Sequence, residues 1–208
     1  MDSLLKKTLR ASEQEREDIA QARAEWAAFQ PTVDSNRLIF LDESGVKTNM
    51  TRLYGRALHG GRCHDSAPNG HWEAVTVLSS IRLDGATECI VFEGAVDRKM
   101  FDEYVKNVLA PSLRPGDIVI MDNLSAHKSQ DAYDAIKKRQ AECLFLPAYS
   151  PDLNPIEKMW SKIKQILRGI KARTHEDLFT GVGKALDRVS ANDAQGWFKS
   201  CGYIPFES

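Results

Sequence analysis

The chain has 208 residues, of which 42% are apolar and 27% charged, and its net charge is −1. Those proportions suit one globular domain with a sizeable core and exclude a wholly disordered chain. No apolar run is long enough to cross a membrane, and the N-terminus lacks a signal-peptide apolar stretch. Cys63, Cys89, Cys143 and Cys201 are scattered without a CxxC pair, as free thiols in a reducing compartment would be. The expected setting is cytoplasmic, with no membrane partner.

Charge is unevenly spread. Between Ser44 and Cys63 lie Lys47, Arg52, Arg56 and Arg62 with no acid among them. From Lys158 to Arg173 the charged residues are Lys158, Lys162, Lys164, Arg168, Lys171 and Arg173, again without an acid. Such stretches in a near-neutral protein read either as a phosphate-tracking surface or as solvated faces.

Residues 3–29 hold good helix formers and no Gly or Pro before Pro31, which predicts a helix. Its acidic character suggests an arm or linker over 1–30, ahead of a domain over 31–208. Leu38 to Leu41 is a continuous apolar run that reads as a buried strand ending on Asp42 and Glu43. Residues 45–70, rich in Gly, Arg and His, read as loop or distorted hairpin. Strands are expected over 74–81 and 87–92 around a turn at Asp84-Gly85. Helical spacing follows over 98–109, stopping before Pro111. A strand over 117–121 delivers Asp122, and a helix (129–140) and a strand (143–146) follow. Pro155 to Arg168 reads as a helix with Gly169 as its stop. Two further helices are expected over 176–189 and 193–200. The order predicts a mixed α/β layer fold with a five-stranded sheet flanked by helices.

Three acids stand out by position. Asp42 ends the first strand, Asp122 ends the fourth, and Glu157 lies in the first turn of the helix after the fifth. If the first and fourth strands are neighbours, about 4.8 Å apart, both aspartates project into one small volume. Like charges that close favour a shifted pKa or bound cations. A third carboxylate would complete an oxygen-rich site for Mg²⁺. Each acid also has a plain structural reading: Asp42 as a strand end, Asp122-Asn123 as a turn, and Asn154-Pro155-Ile156-Glu157 as a capping box.

The sequences Asp42-Glu43-Ser44-Gly45, Met121-Asp122-Asn123-Leu124-Ser125-Ala126-His127-Lys128 and Leu146-Pro147-Ala148-Tyr149-Ser150-Pro151-Asp152-Leu153-Asn154-Pro155-Ile156-Glu157 resemble the three signature blocks of mariner-like DDE transposases. They are closest to the bacterial insertion-sequence branch, which shares the interval of 34 residues between Asp122 and Glu157. The block from Thr51 to Ala57 and Gly70-His71-Trp72 are similar as well, and the resemblance covers roughly residues 5–203.

The resemblance implies a ribonuclease H-like fold and a DNA endonuclease and strand transferase. Asp42, Asp122 and Glu157 would be its catalytic acids, holding two Mg²⁺ or Mn²⁺ ions. It implies cleavage at transposon ends, then attack of the freed 3′-hydroxyl on target DNA, usually at a TA dinucleotide. A homodimer would assemble on the ends, with the protein associated with the nucleoid of a bacterial cell. Only about thirty residues precede the first strand, so helix-turn-helix end recognition is expected outside this stretch, whether the chain is a split-gene product with a separate helix-turn-helix subunit, a truncated remnant or a catalytic fragment. The alternative is a non-catalytic fragment that dimerises with a full-length transposase and inhibits it.

Lys47, Arg52 and Arg56 are candidates for phosphate contact because their loop leaves the catalytic strand, with Lys128, Lys158 and Lys162 beside the other acids. His127 lies near the site and reads as a phosphate contact or a helix cap. Trp72 and Trp160 are candidates for base stacking or core. His59, Cys63, His64 and His71 match no common zinc spacing.

Overall fold

The protein is described by a computed structural model over residues 11–52, 54–57, 61–66 and 71–204. The expected first turns of the N-terminal helix at 3–10, and His59, fall outside those residues.

Three strands, β1 (Leu38–Lys47), β2 (Ala74–Arg82) and β3 (Cys89–Phe92), form an antiparallel meander. Two more, β4 (Ile118–Met121) and β5 (Glu142–Phe145), lie parallel to β1, giving the order β3-β2-β1-β4-β5. The β2–β3 turn forms where the sequence places it. The Asp84 carboxylate accepts from the Ala86 N–H at 2.9 Å, and Gly85 takes φ +85°. A Cβ at Gly85 would also stand 2.9 Å from the Ala191 nitrogen, so the position needs glycine twice over.

Parallel neighbours require crossovers. The first is helix α2 (Arg98–Tyr104), a widened turn over Val105–Leu109, and the short α3 (Ala110–Ser112). Helical structure therefore continues through Pro111, contrary to expectation. Pro111 occupies the first turn of α3, where its missing N–H is not needed. Helix α4 (Gln130–Lys138) joins β4 to β5. Helix α1 (Glu17–Phe29) and the run α5 (Pro155–Ile170), α6 (His175–Leu186) and α7 (Ala191–Ser200) supply the opposite layer.

Strand alternation splits the core in two. Leu38 and Phe40 point to the layer containing Ile163, Leu167, Val182 and Phe198. Ile39 and Leu41 point to Phe101, Leu109 and Ile136. All four strand residues are at most 1% exposed, and burial of each stabilises the fold by roughly 1.5–3 kcal/mol. That two-faced burial is why this stretch is apolar without a break.

Two boundaries differ from expectation for physical reasons. Strand β1 does not end on its acids: β4 pairs with it only as far as Phe40–Ile120, while β2 goes on pairing from Asp42–Ser79 to Lys47–Ala74. Helix α5 passes through Gly169 to Ile170, and Lys171 ends it in the left-handed conformation (φ 57°), donating to the Leu167 carbonyl at 2.9 Å. Gly169 is small for another reason. The Arg52 guanidinium crosses it so closely that a Cβ would meet Nη2 at 3.1 Å.

The N-terminal helix is not a detached arm. Ile19 and Trp26 of α1 are buried, and the Trp26 Nε1–H donates to the Tyr203 hydroxyl at 2.9 Å. Gln30 Nε2 donates to the Cys201 carbonyl at 2.7 Å. At the start of β4, Asp117 receives both ends of the Arg82 guanidinium, at 2.6 and 3.2 Å, and both side chains are almost wholly buried.

Candidate active site

Two residues beyond the last β1–β4 pair, Phe40 with Ile120, each strand carries an aspartate, Asp42 and Asp122. At the strand spacing of about 4.8 Å they open onto a common cavity of about 370 Å³, lined also by Pro147, Tyr149, Asn154 and Glu157. Asp42 is 8% exposed. Burial first, then Glu157, Glu43 and Asp122, push its carboxyl up to about 7, opposed by the Glu43 backbone N–H; the Trp160 Nε1–H donates to its Oδ2 at 3.2 Å. The charged groups that act most strongly on Asp42 are all carboxylates.

Asp122 is held differently. Its Oδ1 accepts from the Leu124 N–H at 3.1 Å, closing the turn that the Asp-Asn pair predicts. The same oxygen lies 2.7 Å from His127 Nδ1, and His127 Nε2 lies 3.2 Å from Glu43 Oε2. Both contacts sit off the ring N–H directions, so they act as ion pairs more than as aligned hydrogen bonds. The imidazole is fully buried and stacks on Phe101 with centroids 4.6 Å apart. Burial lowers its pKa, but the contacts with Asp122 and Glu43 outweigh burial and carry it to about 9. His127 thus lies buried between two acids that favour its protonated form, with no surface exposed to a DNA phosphate. That corrects the expectation of a phosphate contact.

Glu157 opens α5, but not in a capping box. The Asn154 side chain makes no cap bond, and only its backbone carbonyl receives the Glu157 N–H, at 3.2 Å. Asn154 is buried and its Oδ1 has no partner among the described residues. The Glu157 carboxylate, exposed and likewise without a hydrogen-bond or ion-pair partner among them, is left facing the cavity. No three His, Cys, Asp or Glu side chains among the described residues already converge on one point as a finished ligand set.

The loop 146–154 is fastened from outside by α1 and the segment before it. Arg23 spans to Asp152 at 2.7 and 3.0 Å and to the Ser150 hydroxyl at 2.7 Å. Gln14 Nε2 donates to the Tyr149 carbonyl at 2.6 Å, and the Tyr203 hydroxyl donates to the Leu153 carbonyl at 2.9 Å. Sequence reasoning missed Arg23 and Glu43 as site residues and weighed Trp160 only as a base-stacking or core residue. Only Glu43 had a local signal, as the neighbour of Asp42. Alternation sends it to the opposite sheet face, where His127 meets it.

The basic stretches divide. Lys162 is held by Asp193 at 2.5 Å and by the Arg188 carbonyl at 2.7 Å, so its ammonium is already engaged within the fold. Lys171 pairs with Asp65 at 2.5 Å, and Arg173 donates to the Thr48 carbonyl at 2.8 Å. Lys47 sits 5.7 Å from the centre of the Trp72 ring. Arg52, Arg56, Lys128 and Lys158 remain exposed. Trp160 is core, and Trp72 is half exposed.

The mixed sheet, with acids gathered where its two central strands part, defines a ribonuclease H-like domain. The chain belongs to the family described as DDE superfamily endonuclease, whose model matches residues 37–179. Among curated proteins it resembles the Tcb1 transposase of Caenorhabditis briggsae, 30% identical over 111 residues, or 51% of this chain and 41% of that protein. The Tc1 transposase of Caenorhabditis elegans is 27% identical over 97 residues, 45% of this chain and 36% of that one. The aligned region thus spans less than half of these relatives. Among solved structures, the Mos1 transposase paired-end complex superposes with a TM-score of 0.74 at 15% identity, covering 100% of this chain and 69% of that one. The Mos1 mariner catalytic domain gives 0.66 at 12% identity, covering 95% and 92%.

Proposed function

We propose that this chain is the catalytic domain of a DNA transposase, cutting at transposon ends and joining them to target DNA. One observation carries the reading. Asp42, Asp122 and Glu157 line a single cavity in which Asp42 is repelled by three other carboxylates. The likeness to proteins named as transposases, and to Mos1 complexes described with a transposon end, with strand transfer and with Mg or Mn, supports it.

The donor set suits Mg²⁺ or Mn²⁺: hard carboxylate oxygens, uncompensated negative charge and the unpartnered Asn154 Oδ1 beside them. Two such ions, held by Asp42, Asp122 and Glu157, would stabilise the attacking and leaving oxygens of an in-line phosphoryl transfer. The protein's own contribution is placement. Trp160 fixes one Asp42 oxygen, and Leu124 and His127 fix one Asp122 oxygen. The start of α5 presents Glu157. Lys47, Arg56, Lys128 and Lys158 are exposed and are assigned to backbone phosphates.

In this reading the chain belongs to the bacterial insertion-sequence branch and works as a homodimer on DNA within the nucleoid. It acts on its own terminal repeats and joins ends at TA dinucleotides. The test is to supply Mg²⁺ or Mn²⁺ and duplexes carrying the inverted repeats that flank its gene, scoring nicked and joined products. Asp42→Asn, Asp122→Asn and Glu157→Gln should each leave no product while keeping the fold. Full activity in one variant removes that residue from the site, and an inert wild type with either ion removes the proposal.

A further inference from the structure

Around the far end of α5, Lys162, Lys171 and Arg173 are answered by acids or carbonyls, but three arginines gathered there are not. Arg52 and Gln165 wall two adjoining depressions of about 370 and 420 Å³. Arg188 lines the first, and Arg168 and Tyr54 line the second. None of the three guanidiniums has a hydrogen-bond or ion-pair partner among the described residues. Gathering like charges raises the energy of the fold unless an anion is bound between them. Tyr54 stands beside them 92% exposed. Gly169 is the opening that lets Arg52 lie on the helix at all.

We propose that Arg52, Arg168 and Arg188 form a second DNA site, which binds the phosphodiester backbone of the strand whose reacting phosphate occupies the carboxylate cavity. The proposal rests on the transposase reading. Helix geometry supplies the continuity. Arg168 stands about three turns beyond Glu157, ~16 Å along the axis and ~20° around it, so the two share a face. Ser161 and Lys164 lie on the same face between them, both at least partly exposed. At 3.4 Å of rise per nucleotide, the track meets the strand about five nucleotides from the reacting bond. Guanidiniums grip phosphate oxygens in pairs, and an exposed tyrosine ring offers a stacking plane to a base. An acidic protein segment would use the arginines but would have no reason to follow the face that carries Glu157.

The experiment compares the 208-residue chain with Arg168→Gln, Arg188→Gln and the double variant, using a fluorescent duplex carrying a fixed nick. Binding is read by anisotropy in chelator over a salt series, and turnover is read separately with Mg²⁺ at saturating DNA. Each substitution should weaken binding about tenfold, as loss of a charge-assisted contact does. Each should lower the slope of log affinity against log salt by about 0.9. Turnover at saturation should hold. On a duplex shortened to the nick on the side that meets the cluster, variants and wild type should coincide.

Equal affinity and equal slope on the long duplex would overturn the proposal, as would the same loss on the shortened duplex. A change in sedimentation with no change in DNA affinity would reassign the cluster to a protein partner. If the wild type cleaves while the variants bind as tightly as it does, only this site is lost. If the wild type neither binds nor cleaves, the transposase reading falls with it.

Discussion

Two buried aspartates flank the central strands, and they live in opposite circumstances. Asp117, before β4, is 4% exposed and receives a bidentate guanidinium from Arg82 and the Arg114 N–H at 2.6 Å. Asp42, within β1, is 8% exposed and receives one indole N–H, with carboxylates for its charged neighbours. Burial is similar; compensation is not. A buried acid that the fold has satisfied belongs to the architecture. One left unsatisfied keeps coordination capacity in reserve, at a cost in stability.

The largest expected effect separates the two by activity. Asp42→Asn should lower cleavage by at least about three orders of magnitude, the scale set by losing a major electrostatic contact to the transition state. Its thermal midpoint, measured by circular dichroism without divalent ions, should be equal to or above that of the wild type, because a repelled buried charge has been removed. A clearly lowered midpoint would show that Asp42 is structural after all and break the contrast.

Next comes the mirror experiment. Asp117→Ala strands the buried Arg82 cation and should cost about 3–5 kcal/mol in urea unfolding. Residual folded protein should still cleave. If Asp117→Ala were neutral in stability, compensation would not be the property that distinguishes the two acids.

A smaller effect is expected where the architecture reaches into the site. Arg23→Ala releases Asp152 and Ser150 and loosens the loop that leads to Glu157. Turnover should fall about tenfold, the scale of a charge-assisted contact, with part of it recovered by Arg23→Lys. A midpoint shift without any turnover change would make Arg23 a surface staple only.

The smallest effect lies on α5 away from the cavity. Contact with Lys162 and Ser190 holds the Asp193 carboxyl down at about 2. Because the folded value is depressed, this stabilisation is complete above pH ~4 and is lost as pH falls through ~2. The pair is partly solvated, so its worth is about 1 kcal/mol or less. Lys162→Met should flatten that part of the acid unfolding curve and leave cleavage at neutral pH untouched.

Much of this was legible locally. An unbroken apolar run, an Asp-Gly turn and an α5 with one apolar face each state their structure through periodicity or backbone chemistry, and the three acids stand out by their places next to those elements. Boundaries were less legible. Whether β1 continues past Asp42 depends on which neighbour still pairs with it, and no residue of β1 carries that information. Gly169 reads as a helix stop by itself and proves to be clearance for Arg52, which lies far away in the chain.

The sequence alone determined which segments form strands and helices and placed Asp42, Asp122 and Glu157 as candidates, because alternation, helical spacing and turn chemistry are properties of neighbours. Tertiary structure decided what each charge faces. It buried His127 between Asp122 and Glu43, used up Lys162, Lys171 and Arg173 within the fold, and bound α1 to the loop before Glu157. It also left Asp42 among carboxylates. Compensation of charge is a matter of distance in space, and residues that compensate one another here are as much as 129 positions apart in the chain.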